Sequence, residues 1–226
     1  MSLSQPLTAL SMRSATERLN EDLEAPFRAF LGDVIARPAD HTRFLNLLSL
    51  LEHIGSRKIM LSQMKGILTQ DILKHLAEET RHAFFFKREA EKLAGHALEG
   101  YGDDDTLAAG SGRLYFGRLD AGLARDLSQS HPETAYLWVS LVIELRALWV
   151  YGLYQQELVA ATFPMPLKSI LAEESRHLLD MTDRLAELGF DTSEHLPAAI
   201  ALEKSLFAKL LAAMTVQVEV TAEALA

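Results

Sequence analysis

The chain has 226 residues, 49% of them hydrophobic, so it can bury one sizeable core, and we expect a single domain over residues 1–226. The formal net charge is -9, from 22 Lys and Arg against 31 Asp and Glu, and without a basic cluster this charge argues against a nucleic-acid partner. The lack of cysteine excludes disulfides, thiolate metal sites and iron–sulfur clusters, and it fits a reducing compartment, so we expect a cytoplasmic protein.

Two segments bear on export and membranes. Residues Met1 to Asn20 have no basic start followed by a continuous apolar run, so no signal peptide is predicted. Residues Ala135 to Tyr154 are almost wholly apolar and long enough to span a bilayer. Glu144 and Arg146 lie near the centre of that segment, where each would cost roughly 2.5–3.5 kcal/mol on insertion. A buried core helix is therefore predicted, with no membrane partner.

The pattern along the chain is helical throughout. Apolar residues recur three and four apart in a sequence rich in Leu, Ala and Glu, with no sustained alternation of period two, so the fold class is all-α. The first helical stretch is predicted over Thr8–Ala36 with a break near Pro26, and Pro38 with Asp40 marks the next start. Two helices are then predicted: helix A, from Thr42 to Met64, and helix B, from Thr69 and Asp71 after a break at Gly66 to Leu98.

The second half of the chain repeats this order after a long connection. Residues 100–130 contain six glycines and an acidic run, which predicts a long link with one short helix at most. Helix C is predicted from Pro132 to Thr162, helix D from Leu167 to Leu188, and a last helix from Pro197 to Ala224. The links are thus short between A and B, long between B and C, and short between C and D.

An internal repeat carries the chemical signal. Residues 76–82 read Leu-Ala-Glu-Glu-Thr-Arg-His, and residues 171–177 read Leu-Ala-Glu-Glu-Ser-Arg-His, so six of seven positions are identical. A single glutamate precedes each copy at nearly matching distance, Glu52 in helix A and Glu144 in helix C. Each half of the chain therefore holds a glutamate helix followed by a Glu-x-x-His helix.

Helix geometry places these residues together on apolar faces. Side chains three apart are neighbours on one face and can both reach one metal ion. The six candidate ligands all fall on the hydrophobic stripe of their helix: Glu52, Glu79, His82, Glu144, Glu174 and His177.

Electrostatics explains why such a set needs cations. A buried carboxylate costs many kcal/mol unless it is neutralised or paired, and two divalent ions would balance four glutamates. Carboxylate and imidazole donors without thiolate suit two iron ions, with manganese or a mixed Mn/Fe pair as alternatives, and zinc or cobalt could occupy the same site in vitro.

This pattern resembles the ferritin-like di-iron carboxylate superfamily, in which two helices give one glutamate each and two give Glu-x-x-His. The resemblance covers about residues 42–188 and implies a ferritin-like four-helix bundle with a long crossover between helices B and C, plus additional N- and C-terminal helices. It also implies that Glu79 and Glu174 bridge the two ions and that His82 and His177 each bind one. The additional N-terminal helix and the enlarged 100–130 segment depart from its best-known members, so the resemblance does not assign a subfamily.

Three functions stay open at this point. The resemblance implies foremost an oxidase or oxygenase that uses O2 to oxidise a small organic substrate, with an external electron donor. The second is a bacterioferritin-like ferroxidase that handles iron or peroxide. The third is a structural bundle without metal, in which Arg81 and Arg176 pair with the buried glutamates.

Several other residues have ordinary explanations. Glu78 and Glu173 are expected to pair with the arginine three positions on, and His53 and His75 are expected to be exposed or hydrogen-bonded rather than to bind metal. Three successive phenylalanines, Phe84, Phe85 and Phe86, project around most of helix B, so at least one should meet another helix or a second subunit. A homodimer is predicted on that basis.

Overall fold

The computed structural model describes residues 7–62, 69–125, 127 and 132–224, and these form eight helices without a strand. All-α structure is therefore confirmed for this part of the chain. The helices are α1 (Ala9–Leu19), α2 (Glu21–Ala36), α3 (Pro38–Ser62), α4 (Gln70–Ala94), α5 (Ala109–Arg125), α6 (Pro132–Ala160), α7 (Lys168–Glu187) and α8 (Thr192–Ala224). The predicted break at Gly66, the predicted end of helix A at Met64 and the end of the 100–130 segment lie outside the described residues.

The chain divides into two compact units. The first, here the α3–α4 unit, comprises Phe27–Gly117 and Phe207–Ala226; the second, the α6–α7 unit, comprises Met1–Pro26 and Arg118–Leu206. The division passes through α2, α5 and α8. Each unit contains one copy of the repeated helix pair. A single domain over the whole chain stays a prediction.

The α3–α4 unit is built on two antiparallel helices. Ser49 Oγ donates a hydrogen bond of 2.7 Å to the carbonyl of Ala83, and Lys87 Nζ donates one of 3.0 Å to Asn46 Oδ1. The later α3 residue, Ser49, thus contacts the earlier α4 residue, Ala83. The two helices are therefore antiparallel. Thr69 caps the start of α4 by accepting the Ile72 N–H at 3.3 Å.

Helix α4 ends earlier than predicted. Gly95 adopts a left-handed conformation, with φ of 76°, and its N–H donates to the carbonyl of Glu91. Glycine adopts this conformation without the steric cost that a Cβ atom brings. The prediction that the helix continues to Leu98 is therefore wrong by four residues, because Gly95 and not Gly100 supplies the stop signal.

The connection after α4 is fastened to α3 before it becomes helical. The amide nitrogen of Asn46, which is fully buried, lies 3.1 Å from the carbonyl of Gly100, 2.9 Å from that of Asp105 and 2.8 Å from Thr106 Oγ1. Lys87 Nζ donates to the same Gly100 carbonyl at 3.0 Å. Two side chains thus satisfy backbone groups that irregular structure would otherwise leave without partners.

Helix α5 corrects the prediction of one short helix in this connection, because it runs for 17 residues. Its glycines serve close packing and not helix termination. A Cβ atom on Gly112 would lie 2.8 Å from Leu47 Cδ1 within the α3–α4 unit, and one on Gly122 would lie 2.6 Å from Leu202 Cδ2 within the α6–α7 unit. Glycine in a helix can therefore indicate close packing and not only a break.

The α6–α7 unit repeats the antiparallel arrangement. Glu133 in α6 binds Arg184 in α7 through two hydrogen bonds of 2.7 and 3.0 Å, while Gln155 Oε1 accepts the N–H of Leu167 at 2.6 Å. One helix, residues 133–160, is long and apolar enough to cross a membrane, and 72% of its apolar window is buried within the protein. That burial is typical of a core helix.

The N-terminal break lies at Asn20, and the predicted break at Pro26 is wrong. Asn20 ends α1, and its buried amide donates to the carbonyl of Thr16 at 2.8 Å. Pro26 lies inside α2, where it removes one backbone hydrogen bond near the helix start. The helix continues past the proline because burial of the large side chains that follow stabilises it. These side chains are Phe27, Phe30, Leu31 and Val34.

The last helix also starts earlier than predicted. Asp191 Oδ1 accepts both the N–H and the hydroxyl of Ser193, at 2.9 and 2.6 Å, and the helix begins at Thr192, five residues before Pro197. Pro197 is again accommodated inside the helix.

Candidate metal centre

The α3–α4 unit gathers three of the six predicted ligands. Glu52 comes from α3, and Glu79 and His82 come from α4; their exposed fractions are 8%, 6% and 1%. Their ligand atoms lie within 4.8 Å of one another, and His82 Nδ1 lies 3.8 Å from Glu79 Oε1. These buried side chains could hold a metal ion. We call this set the first half-site.

Antiparallel packing explains why these side chains meet. The contacts of Ser49 with Ala83 and of Asn46 with Lys87 fix the register of the two helices, and one turn further along α3 the register brings Glu52 level with Glu79. Gly55 follows on the same face, and a Cβ atom there would lie 3.5 Å from Glu79 Oε2. The small residue leaves room for the carboxylate.

The α6–α7 unit gathers the other three predicted ligands. Glu144 comes from α6, and Glu174 and His177 come from α7, with exposed fractions of 4%, 1% and 4%. His177 Nδ1 lies 3.1 Å from Glu174 Oε2 and 3.7 Å from Glu144 Oε1. We call this set the second half-site. Its composition, two carboxylates and one imidazole, matches that of the first.

The pKa of His177 reflects the negative charge of the second half-site. Burial by itself would lower the pKa of His177, but hydrogen bonds to Glu144 and Glu174, with the charges of both carboxylates, raise the pKa to about 12. In the absence of metal the imidazolium therefore offsets part of the carboxylate charge. A metal ion would take over this role and requires the neutral ring.

The donor set fits a hard or borderline divalent cation. Each half-site offers two carboxylates and an imidazole at buried positions, which is the ligand chemistry of iron, manganese or zinc. Two like charges buried within a few ångströms of each other are costly without a cation. Metal binding is thus the simplest way to stabilise the charges that these helices bury.

His75, which the sequence was expected to leave exposed or hydrogen-bonded and not bound to metal, lies beside a ligand of the first half-site. His75 Nε2 lies 3.5 Å from Glu79 Oε1, and His75 belongs to the side chains placed so as to share a metal ion with Glu79. Its position four residues before Glu79, and so on the same helix face, was the signal that could have identified it. His53, by contrast, stacks on Tyr101, with ring centroids 5.9 Å apart.

The charged residues next to the predicted ligands are more exposed to solvent than the ligands are. Arg81 and Arg176 are exposed, and Glu78 and Glu173 are partly exposed. The Glu and His of each Glu-x-x-His motif are therefore buried, whereas the charged residues between and beside them are exposed or partly exposed.

Comparisons of the chain with protein-family models, with curated proteins and with solved structures find no match. The function therefore has to follow from the chemistry of the two half-sites.

Proposed function

We propose that the two half-sites together form one dinuclear metal centre, with iron as the metal, in a ferritin-like bundle, and that the protein is an oxidase or oxygenase of a small organic substrate. The observation that carries this proposal is the burial of four glutamates in two matched sets. Two divalent ions neutralise the four carboxylates, whereas one ion leaves two negative charges in the interior.

The repeat supports two equivalent ions. Each half of the chain supplies a glutamate from one helix and Glu-x-x-His from the next, antiparallel helix. Each half-site has two carboxylates and one imidazole, and neither has a thiolate. The resemblance to the di-iron carboxylate proteins rests on this symmetric set of six ligands.

Iron bound in this way would supply the electrons with which O2 is reduced. The chain itself fixes the ligands and keeps water away. Glu174 and His82 are each 1% exposed, and the buried phenylalanine Phe86, one turn beyond His82, adds apolar surface on the same helix face. Water-poor surroundings strengthen every charge interaction at the ligands and limit side reactions of an oxidant.

A bundle without metal is the poorer explanation. It requires Arg81 and Arg176 to join the glutamates in a buried ion-pair network, but both arginines lie at exposed positions while the glutamates are buried. In the second half-site a protonated histidine already supplies positive charge to the two carboxylates.

The experiment loads the protein anaerobically with Fe(II), measures iron per chain, and then follows O2 uptake by stopped flow and the coupling of the oxidised ions by Mössbauer spectroscopy. The proposal expects two irons per chain, antiferromagnetic coupling, and O2 uptake faster than that of free Fe(II). Uncoupled iron, or O2 uptake no faster than in buffer, would contradict it.

Matched variants separate ligands from their neighbours. Glu79→Gln with Glu174→Gln changes one predicted ligand in each half-site, whereas Glu78→Gln with Glu173→Gln makes the same chemical change one residue earlier in both copies of the repeat. The first pair should lose iron and O2 uptake, and the second pair should keep both.

A further inference from the structure

His75 lies on the same face of α4 as two predicted ligands. It precedes Glu79 by four residues and His82 by seven, which is one and two helical turns. Its Nε2 lies 3.5 Å from Glu79 Oε1, and His82 Nδ1 lies 3.8 Å from the same oxygen. The carboxylate oxygen therefore has an imidazole nitrogen on either side of it along the helix.

The distances suit atoms that share an ion. Nitrogen and oxygen ligands bind at about 2.0–2.2 Å, so two ligand atoms of one ion lie roughly 3–3.6 Å apart at ordinary coordination angles. The separation of 3.5 Å between His75 and Glu79 is within that range, and it is longer than the usual N–H···O hydrogen bond of about 2.9–3.0 Å.

His75 is also the most accessible of the three. Its side chain is 12% exposed, compared with 8% for Glu79 and 1% for His82. It therefore stands where the first half-site comes nearest to solvent, while its ring remains largely enclosed. A ligand at this position can bind the ion without adding charge to a neutral centre.

The second half-site has no counterpart. His75 immediately precedes the first copy of the repeat, and the residue that immediately precedes the second copy is Ile170, which is 2% exposed. An isoleucine cannot coordinate a metal. The two half-sites, equal in their carboxylates and in one histidine each, thus differ by one imidazole.

We propose that His75 is a seventh metal ligand, which binds one ion together with Glu79 and makes the two metal positions chemically unequal. This inference rests on the proposed metal centre and extends it. The ion that His75 binds has two imidazole ligands, and the other ion has one. An additional imidazole favours later transition metals, so the position with two imidazoles fills first when metal is limiting.

The experiment uses the full chain, labelled with 15N at histidine and loaded with two equivalents of 113Cd(II). Each bound 113Cd nucleus is split by every 15N nucleus that coordinates it, so the multiplet counts the imidazoles at each ion. The expected spectrum is one cadmium resonance split into a triplet and one split into a doublet. At one equivalent of cadmium the triplet should appear first.

Two variants complete the test. His75→Gln should turn the triplet into a doublet and remove the preference of the first equivalent of cadmium for one position. His53→Gln removes another histidine of α3–α4 that stacks on Tyr101, and it should leave both multiplets unchanged.

The outcomes distinguish the two proposals. Two doublets in the wild-type protein would overturn the assignment of His75 and leave the metal centre intact, and this result needs no variant. Absence of bound cadmium would overturn the metal centre itself, and the assignment of His75 with it.

Discussion

Gly55 and Glu79 meet where α3 and α4 bring the first half-site together. A Cβ atom on Gly55 would lie 3.5 Å from Glu79 Oε2, an ordinary van der Waals contact. The space beside the carboxylate therefore accepts a methyl group in direct contact with the carboxylate oxygen. The position of a predicted metal ligand depends on the size of a residue on the neighbouring helix.

Substitutions at Gly55 should separate stability from metal binding. Gly55→Ala should raise the free energy of unfolding by about 0.5–1 kcal/mol, because alanine favours the helix, and should keep metal affinity. Gly55→Leu should weaken metal binding at least about tenfold, because its side chain displaces the Glu79 carboxylate. Calorimetric titration with Mn(II) measures the affinity. Gly32→Leu is the control, since a Cβ atom on Gly32 in α2 meets nothing within 4 Å.

Neutralising one buried carboxylate should stabilise the protein without metal. Glu52 and Glu79 have ligand atoms within 4.8 Å of each other, so Glu52→Gln removes a like-charge interaction and should raise the unfolding free energy of the metal-free protein by about 1–2 kcal/mol. The same variant should lose the stabilisation that added metal gives the wild type. Urea denaturation with and without Mn(II) measures both effects. Glu78→Gln should change neither beyond about 0.5 kcal/mol; a loss of metal-free stability in Glu52→Gln would contradict the prediction.

His41 should make the protein sensitive to mild acid. The ring is fully buried, and this burial lowers its pKa to about 4. Between that value and the ordinary pKa near 6.5 the unfolded chain binds a proton that the folded chain does not, so the unfolding free energy falls as the pH falls through this window.

The loss assigned to His41 should reach up to about 3 kcal/mol at the acid end of the window. Urea denaturation of wild type and His41→Gln at pH 7.5 and pH 4.5 measures it. Any stability advantage of the wild type over the variant should shrink at the lower pH. His96→Gln, at an exposed position, is the control, and an equal difference at both pH values for His41→Gln would contradict the prediction.

Arg146 and Glu203 form a buried ion pair in the α6–α7 unit. Two hydrogen bonds of 2.8 and 2.6 Å join them, and Arg146 also donates to Asn20 Oδ1 at 2.7 Å. Arg146→Met should destabilise the protein by about 3–5 kcal/mol, because it leaves a buried carboxylate without its cation. Adding Glu203→Leu should restore part of the loss, which a double-mutant cycle in urea measures.

An exposed pair of similar geometry provides the comparison. Arg184 and Glu133 are also joined by two hydrogen bonds, but the side chain of Arg184 is 45% exposed. Arg184→Met should cost about 0–1 kcal/mol. Equal losses at Arg146 and Arg184 would show that burial does not set the strength of these pairs.

The sequence predicted what periodicity and local caps determine. Helix α4 begins at the cap that Thr69 supplies, and α7 lies within one residue of its predicted bounds. The six predicted ligands are all buried, because their apolar neighbours recur at helical spacing. These features depend on contacts within one helix, so the sequence of that helix is sufficient to predict them.

Several of the wrong predictions depend on partners that are remote in sequence. The break at Asn20 is supported by Arg146, which lies 126 positions away, and no local pattern reveals that bond. The glycines of helix α5 predicted a loop, because the sequence does not show that Leu47 and Leu202 pack against them. The sequence places His75 on the same helix face as Glu79, but only the structure shows how close its ring lies to the Glu79 carboxylate.

The contacts of Asn46 bear on how the chain responds to proteases. Irregular segments between helices are where cleavage usually begins, because their backbone must fit an extended active-site cleft. Here one amide on α3 holds the backbone at Gly100 and Asp105 and the side chain of Thr106. Cleavage between residues 100 and 106 therefore requires these contacts to break first, so the resistance of the segment is set by Asn46 together with Lys87, which also holds the Gly100 carbonyl, and not by its lack of helix.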